Sequence, residues 1–280
     1  MMTIKRFSTF AIVWACVWAA CTYKRPESPV LFYPLGMTQV GNNLTFISSN
    51  ADSRFASGQL VFIRARAAAD ALRAQQRITH APGEAFVENY LVSQTPLPSL
   101  SYSPQAVHNH IWFTDRLADK ASAFPLTQQG SLACASSDVI QQNCSSRQVT
   151  MALKADDPVK LTTLQSDTEQ VVMAVVFAHS HKVQIFSYSP QNPHDVHMQT
   201  SYSLKSFLEP KEKKKKLSKR VKNPVFVARD ATLVGPENNT RLAVVLETFP
   251  KGGGSQFYSP YLVLLSTKTL LEGKQLQSSD

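Results

Sequence analysis

A short apolar pattern recurs four times along this chain, and the recurrence restricts the fold more than any other feature. The four copies occupy residues 44–49, 111–115, 174–179 and 243–248, and they are rich in the β-branched and aromatic residues that favour strands. Aligned on Phe46, Phe113, Phe177 and Leu246, they lie 67, 64 and 69 residues apart. Spacing this regular predicts repeated structural units rather than one continuous sheet.

Further strand-like runs accompany the four copies. Runs that follow a copy occupy residues 59–63, 182–186 and 261–265, and runs that precede one occupy 34–40 and 224–233. Each unit is therefore predicted to be a small antiparallel sheet, and small sheets that bury each other's faces form a β-propeller. We predict an all-β, propeller-like domain over residues 30–280. A β-sandwich without a true repeat is the alternative.

Two other expectations concern the spaces between the copies. Conventional blades of roughly 40–45 residues are shorter than the observed spacing, so residues 85–93 and 148–164 are candidates for additional, degenerate blades. Residues 64–77 are rich in Ala and Arg and contain no β-branched run. This composition predicts a helical insertion with its arginines on a solvated face.

The first predicted unit also carries a family resemblance. Residues 33–37 (Tyr-Pro-Leu-Gly-Met), the run 43–55 that ends in Ser-Asn-Ala-Asp-Ser-Arg-Phe, and the Gly58 that precedes the next strand form its pattern. This pattern resembles the opening blade of bacterial propeller lipoproteins similar to the YVTN-repeat and lactonase-like propellers. The resemblance implies a propeller-like fold. It implies no activity, because propellers serve many unrelated functions.

The amino terminus has the features of an export signal. Lys5 and Arg6 precede an apolar stretch that is too short to span a bilayer as a helix and that stops at Cys21. The preceding Trp-Ala-Ala resembles a bacterial lipobox, which implies cleavage before Cys21 and attachment of lipid, palmitate included, to this cysteine. An uncleaved anchor and ordinary secretion are the alternatives.

These features divide the chain and give it a location. Residues 1–20 are predicted to be a lipoprotein signal peptide and residues 21–29 a polar tether. The membrane is then a partner through the lipid anchor, and the bacterial cell envelope is the compartment. Thr22, rather than an Asp, follows the anchor cysteine, and this favours the outer membrane.

Two cysteines remain in the predicted domain, Cys134 and Cys144. An exported chain sits in an oxidising compartment, where such a pair forms a disulfide. Free or metal-bound thiols are the alternative, although a zinc site needs two further ligands. We therefore predict a disulfide that closes a loop of about ten residues.

The positive charge of the chain is concentrated in one segment. Residues 211–222 carry a local charge of +7 and the rest of the chain only +2 of the total +9. The eight bases are predicted to bind anionic surfaces: Lys211, Lys213, Lys214, Lys215, Lys216, Lys219, Arg220 and Lys222. Anionic lipid or an envelope protein is the expected partner, and nucleic acid is not, because the chain lacks a broad basic face. A solvated insertion is the alternative.

Signals for chemistry are few. A composition of 43% hydrophobic and 18% charged residues is that of a globular protein and excludes collagen-like, wholly disordered and polytopic membrane classes. The histidine pairs 108 and 110, 179 and 181, and 194 and 197 could in principle hold a metal, but solvated histidines at turns and strand ends are the favoured interpretation. We assign no catalytic residue, metal site or cofactor.

Together these features favour a membrane-anchored, non-catalytic binding or assembly module. A degenerate propeller hydrolase or lactonase with a histidine-bound metal is the alternative. The acidic runs at 156–157 and 167–169 are interpreted as solvated loops.

The basic segment gives the first prediction. Replacing Lys213, Lys214, Lys215 and Lys216 with Gln removes four charges, each of which contributes on the order of 1 kcal/mol near an anionic surface. Co-sedimentation with liposomes that contain anionic lipid should therefore weaken strongly, while the circular dichroism spectrum stays the same. Unchanged sedimentation would exclude a role in binding anionic surfaces.

Overall fold

The computed structural model describes residues 34–49, 58–74, 89–97, 100–134, 140, 142–204, 207, 225–236, 239–249 and 261–274. These residues form four antiparallel sheets, and within each sheet the strands follow chain order. Phe46, Phe113, Phe177 and Leu246 each lie on the second strand of a different sheet. The predicted repeat is confirmed, and the fold is all-β and propeller-like. The sandwich alternative is wrong, because the strands form four small sheets rather than two large ones.

The first two sheets contain four strands each. Sheet 1 consists of β1 (Pro34–Val40), β2 (Asn43–Ser49), β3 (Gly58–Arg64) and β4 (Leu91–Leu97). Sheet 2 consists of β5 (Ser101–Val107), β6 (His110–Asp115), β7 (Lys120–Pro125) and β8 (Val149–Ala152). A short 3-10 helix, Ser145–Arg147, precedes β8.

The other two sheets differ in size. Sheet 3 consists of β9 (Pro158–Ser166), β10 (Val171–Phe177), β11 (Lys182–Ser189) and β12 (Asn192–Ser203). Sheet 4 has three strands, β13 (Val225–Val234), β14 (Arg241–Phe249) and β15 (Tyr261–Ser266). The helix α2 (Thr267–Leu271) follows β15 directly.

The expected additional blades are absent from the described residues. Within the segment 85–93, the described strand residues open β4, the outer strand of sheet 1. The segment 148–164 supplies β8 to sheet 2 and most of β9 to sheet 3. These segments therefore belong to the four long repeats. Each repeat spans 64 to 69 residues and uses them for the strands and loops of one sheet.

The predicted helical insertion is confirmed as α1 (Ala65–Ala74). Arg64, Arg66 and Arg73 are exposed, as expected, and Arg77 lies outside the described residues. The opposite side of α1 buries Ala68 in a small apolar cluster with Phe46, Val61 and Ile63 of sheet 1. The helix therefore covers the face of sheet 1 that points away from sheet 2.

Alternation along β10 explains how one sheet serves two cores. All seven residues of β10 are buried. Val172, Ala174 and Val176 pack against sheet 4. The alternate residues of the strand, among them Met173 and Val175, pack against sheet 2. Successive side chains of a strand point to opposite faces, so a continuous apolar run predicts burial on both sides.

The same alternation builds three cores between neighbouring sheets. Sheets 1 and 2 bury Ile47, Phe62 and Phe113 between them. Sheets 2 and 3 bury Trp112 and Phe177, among others. Sheets 3 and 4 enclose a third cluster that contains Leu246.

The core between sheets 2 and 3 contains a polar contact. Trp112 is fully buried and donates a hydrogen bond from Nε1 to the Tyr188 hydroxyl over 2.9 Å, with ring centroids 5.2 Å apart. Burial raises the pKa of Tyr188 to about 12, although the Trp112 hydrogen bond opposes this rise. Each polar group thus finds its partner inside the apolar layer, which is the condition for burying it.

The predicted disulfide between Cys134 and Cys144 is confirmed, with the Cα atoms 4.9 Å apart and a sequence separation of 10. Cys144 is fully buried at the edge of the core between sheets 1 and 2. The bond therefore fixes the loop between β7 and β8 against that core and stabilises the fold by roughly 2–3 kcal/mol.

In the described part of the chain, the four sheets form an arc around their first strands. β1 contacts β5, β5 contacts β9, and β9 contacts β13. Among the described residues, β13 makes no comparable contact with β1. Sheets 1 and 4 are consequently the two ends of the arc.

The glycines at two loop ends give the second prediction. Gly130 and Gly273 both have positive φ, +74° and +66°, but a Cβ on Gly130 would lie 2.7 Å from the Val40 carbonyl oxygen, whereas nothing surrounds Gly273 within 4 Å. Gly273→Ala should therefore show only the cost of the left-handed backbone, about 1–2 kcal/mol. Gly130→Ala should lose a further ~1–3 kcal/mol in urea unfolding because of this clash. Equal losses would contradict the close approach.

Candidate functional site: the axial cavity

A cavity of about 280 Å³ lies where the first strands of the four sheets converge. Every sheet contributes to its lining, which consists of Leu35, Gly36, Met37, Tyr102, Ser103, Pro104, Val159, Lys160, Arg229 and Asp230. The cavity is therefore a product of the repeat as a whole rather than of one loop.

Each of the four inner strands has a register irregularity at the cavity. The pairing shifts between Pro34 and Gly36 in β1 and between Tyr102 and Gln105 in β5. In β9 the pairing register with β10 omits Val159, and in β13 the pairing register with β14 omits Arg229. The omitted residues Leu35, Ser103, Pro104, Val159 and Arg229 all line the cavity. Bulges turn side chains out of their regular positions, and here they turn them towards one space.

Close contacts hold β1, β5 and β9 together beside the cavity. A Cβ on Gly36 would lie 2.7 Å from Pro104 Cδ, so only glycine allows β1 to approach β5 here. The Ser103 hydroxyl accepts a hydrogen bond from the Leu161 amide over 3.1 Å and donates to the Leu161 carbonyl oxygen over 3.2 Å. The role of Gly36 is therefore this close approach.

The charged residues of the lining are paired. Lys160 Nζ lies 2.9 Å from the Asp230 carboxylate, and Arg229 Nε lies 2.6 Å from the Glu247 carboxylate. Lys160 belongs to sheet 3 and the other three residues to sheet 4, so one ion pair joins the two sheets. The cavity is therefore polar at this side but close to electrically balanced.

A partly buried charge network extends from the cavity towards the ends of sheets 2 and 3. The Arg116 guanidinium lies 5.0 Å from the centroid of the Tyr102 ring, which lines the cavity. Arg116 donates two hydrogen bonds to the Asp157 carboxylate, from Nε and, over 2.7 Å, from Nη2. Asp157 also lies 3.3 Å from His179 Nε2 and donates its amide to the Asp119 carboxylate over 2.9 Å. The network thus holds Arg116 against Tyr102.

Electrostatics agree with this geometry. Burial tends to lower the pKa of Arg116, but the hydrogen bond and the charge of Asp157, with a smaller effect of Tyr102, raise it above its usual value. Asp157 has a φ of +61°, a left-handed conformation that non-glycine residues seldom adopt. The interpretation of residues 156–157 as a solvated loop is therefore wrong for Asp157, because its charge partners come from distant parts of the sequence.

The second acidic run, 167–169, is an exposed turn, as expected. Asp167 Oδ1 accepts hydrogen bonds from the amides of Gln170 over 2.7 Å and Glu169 over 2.9 Å. The bond from Gln170, followed by those from Gln165 and Glu169, lowers the pKa of Asp167. This carboxylate caps the turn between β9 and β10.

The histidines of the predicted pairs make separate contacts. His179 bonds Asp157, whereas His181 Nε2 lies 2.8 Å from the Phe226 carbonyl oxygen. His108 Nε2 lies 3.0 Å from the Ser166 hydroxyl, and His197 Nε2 lies 3.0 Å from Asp195.

One of the remaining histidines is partly buried. Burial lowers the pKa of His110, and the nearby His194 and His108 lower it further. Across the described residues, no three His, Cys, Asp or Glu side chains form a group that could hold a metal ion.

Several predicted features lie outside the described residues. They are the signal peptide at 1–20, the tether at 21–29 with Cys21, and the basic segment at 211–222. Within the part of the chain that is described, no helix is long and apolar enough to cross a bilayer.

Sequence reasoning missed the cavity, although a signal for it exists. Pro34, Pro104 and Pro158 lie in or at the start of three of the four inner strands. Proline is confined to edge strands, strand starts and bulges because it cannot donate a ladder hydrogen bond. Because the outer strands β4 and β12 also contain proline, these prolines could have indicated edge strands, but neither which edges are inner nor their convergence.

Comparison with known proteins adds a distant likeness. No protein-family model matches this chain, and no curated protein matches it. Among solved structures, a candidate 6-phosphogluconolactonase from Bacteroides uniformis is similar over 83% of this chain and 58% of its own, with 11% sequence identity and a TM-score of 0.41. This chain therefore spans less than two thirds of that protein.

The charge network gives the third prediction. Asp157→Asn keeps a side chain that tolerates left-handed backbone but removes the charge that faces Arg116. Because the two side chains are only 18% and 22% exposed, the substitution should cost about 1–3 kcal/mol in urea unfolding. The matched control is Asp195→Asn, whose ion pair with His197 is more than 60% exposed on both sides. It should cost less than about 0.5 kcal/mol, and an equal effect of the two would contradict a structural role for the Arg116 network.

Proposed function

We propose that this chain is a lipid-anchored, non-catalytic binding module of the bacterial cell envelope, and that the axial cavity is its ligand site. The observation that carries the proposal is the coincidence of four strand irregularities at one space. β1, β5, β9 and β13 each depart from regular pairing at the residues that line the cavity. Irregularities of this kind concentrate next to binding sites.

The lining indicates what kind of ligand fits. Leu35, Met37, Pro104 and Val159 supply apolar surface, and Tyr102 supplies an aromatic ring whose position Arg116 fixes. The lining charges are already neutralised by ion pairs, so a strongly charged ligand would have to break one of them. The cavity favours an uncharged ligand with apolar groups and a few hydrogen-bonding groups.

The anchor would keep the cavity near the membrane. Twelve residues lie between Cys21 and Pro34, where β1 begins, and the chain from one to the other spans at most about 45 Å. Leu35, the next residue of β1, already lines the cavity. A lipidated Cys21 would therefore confine the ligand site to a thin layer beside the bilayer, where the basic segment 211–222 would contact anionic groups.

The non-catalytic part of the proposal rests on the chemistry of the cavity. Within the described lining the only carboxylate is that of Asp230, and Lys160 pairs with it. A hydrolase would need a metal or a free general base at this place. The YVTN-repeat and lactonase-like resemblance of residues 33–60 supports a propeller scaffold, and we propose that this scaffold binds without turnover.

The fourth prediction tests the ligand site. Met37 lines the cavity and is 71% exposed, so Met37→Trp should fill the mouth of the cavity without disturbing a core. Small molecules that co-purify with the tagged full-length protein can be extracted with solvent and identified by mass spectrometry. The extract of this variant should lack a molecule that the wild-type extract contains. Leu117→Trp is the matched control, because Leu117 is 64% exposed in the turn after β6, and it should retain this molecule.

The same preparations test the anchor and the absence of turnover. The Cys21→Ser protein should no longer be found in the membrane fraction and should carry no labelled palmitate. Both tryptophan variants should remain in the membrane fraction and carry the label. Identical extracts from Met37→Trp and Leu117→Trp would contradict a cavity ligand. If the wild-type protein hydrolysed lactones and Met37→Trp abolished this activity, the chain would be an enzyme rather than a non-catalytic binding module.

A further inference from the structure

Asp230 is the only carboxylate in the described lining of the axial cavity, and its two oxygens have different surroundings. Oδ1 accepts a hydrogen bond from the Ala231 amide over 2.8 Å and lies 2.9 Å from Lys160 Nζ. No described residue donates to Oδ2, and the side chain of Asp230 is 62% exposed. A carboxylate oxygen has about two acceptor sites, so Oδ1 is fully used while Oδ2 can still accept.

Lys160 supplies the complementary donors. Its ammonium group carries three N–H bonds, and the contact with Asp230 uses one of them. The side chain is only 29% exposed, which leaves limited contact with bulk water for the other two. Both residues line the cavity, so the lining presents a donor and an acceptor side by side.

The other polar groups of the lining are arranged differently. Arg229 pairs with Glu247, which does not line the cavity. The Ser103 hydroxyl both donates to and accepts from the Leu161 backbone. Among the described residues, the ion pair between sheets 3 and 4 is thus the one that has both of its members in the lining.

Most of the remaining lining is apolar. Leu35, Met37, Pro104 and Val159 offer no side-chain hydrogen bond, and Tyr102 adds an aromatic ring. A ligand with hydroxyls on every side would bury several of them against this surface without partners, which is unfavourable. The lining favours instead a compact polar group on an apolar or aromatic body.

We propose that the cavity binds an amide group whose N–H and C=O lie on the same side, as in a primary carboxamide or a lactam. The amide oxygen accepts from Lys160 Nζ, and the N–H beside it donates to Asp230 Oδ2, so the ion pair stays intact. This assignment rests on the proposed function, which makes the cavity a ligand site. It specifies the chemical group that the site recognises.

An amide of this form matches the ion pair because its donor and its acceptor are separate atoms on one edge. Two adjacent protein groups then form two parallel hydrogen bonds, the bidentate arrangement by which Asn and Gln side chains recognise adenine. In a trans peptide group the N–H and C=O point in opposite directions, so a peptide bond could engage only one of the two residues. A single hydroxyl has its donor and its acceptor on one atom and cannot form the parallel pair.

Saturation-transfer NMR on the full-length protein in detergent tests the amide, with detergent alone as the background. The probes are benzamide, a primary carboxamide, and caprolactam, a lactam, each compared with its N-methyl derivative. N-methylation removes the N–H that lies beside the carbonyl oxygen, and this bond would go to a charged acceptor. Each N-methyl derivative, and benzyl alcohol as the hydroxyl comparator, should therefore bind at least about tenfold more weakly than its parent amide. Binding of only one of the two amides would assign the ligand to that source.

Asp230→Leu shows whether the preference for the N–H comes from the carboxylate. The variant removes the acceptor at an exposed position, and the difference between benzamide and N-methylbenzamide should disappear, a change that a general loss of stability would not produce. Asp195→Leu is the matched control, because the Asp195 carboxylate is also in an ion pair and is 63% exposed against 62%. This control should keep the wild-type preference.

The outcomes separate the amide assignment from the ligand site itself. Equal binding of the amides and their N-methyl derivatives, benzyl alcohol that binds as well as benzamide, or a preference that survives Asp230→Leu would overturn the amide assignment. If Met37→Trp abolished such unselective binding, the cavity would remain a ligand site for another chemical group. If no probe bound the wild-type protein, or if Met37→Trp bound every probe as the wild type does, the amide assignment and the ligand site would both be wrong.

Discussion

Sheets 1, 2 and 3 of this molecule carry apolar side chains on both faces, so none of the three could remain in water without cover on each side. β10 is the extreme case, since all seven of its residues are buried and they alternate between two cores. Burial of apolar surface is the dominant favourable term in folding. The order of the sheets and the convergence of the inner strands follow from the requirement that these apolar faces meet a neighbour.

This requirement explains why the fold could be predicted and the site could not. The continuous apolar runs around Phe113, Phe177 and Leu246 reflect burial on two faces, and their spacing reflects one sheet per unit. Both signals are local in sequence. The cavity depends on how Leu35, Tyr102, Val159 and Arg229 come together from four sheets, and a single sequence contains no measure of that distance.

Two predictions failed for the same physical reason. Residues 148–164 contain strands, but which sheet a strand joins depends on its neighbours in space, and the segment is divided between sheets 2 and 3. Asp157 lies in a polar stretch that resembles a solvated loop, yet Arg116 and His179 approach it from other turns. By contrast, the disulfide between Cys134 and Cys144 was predictable, because few cysteines leave few pairings. The anchor at Cys21 and the basic segment at 211–222 stay predictions.

The helix α1 gives the arc a direction. It lies on the end face of sheet 1 and buries Phe46, Val61 and Ile63, where a preceding sheet would otherwise pack. A duplicated unit inserted before β1 would have to displace this helix and expose its apolar contacts. In the part of the chain that the structure describes, the corresponding face of sheet 4 carries no such helix, and Leu262 of β15 is 61% exposed there; an added repeat could therefore pack against sheet 4 without displacing a helix.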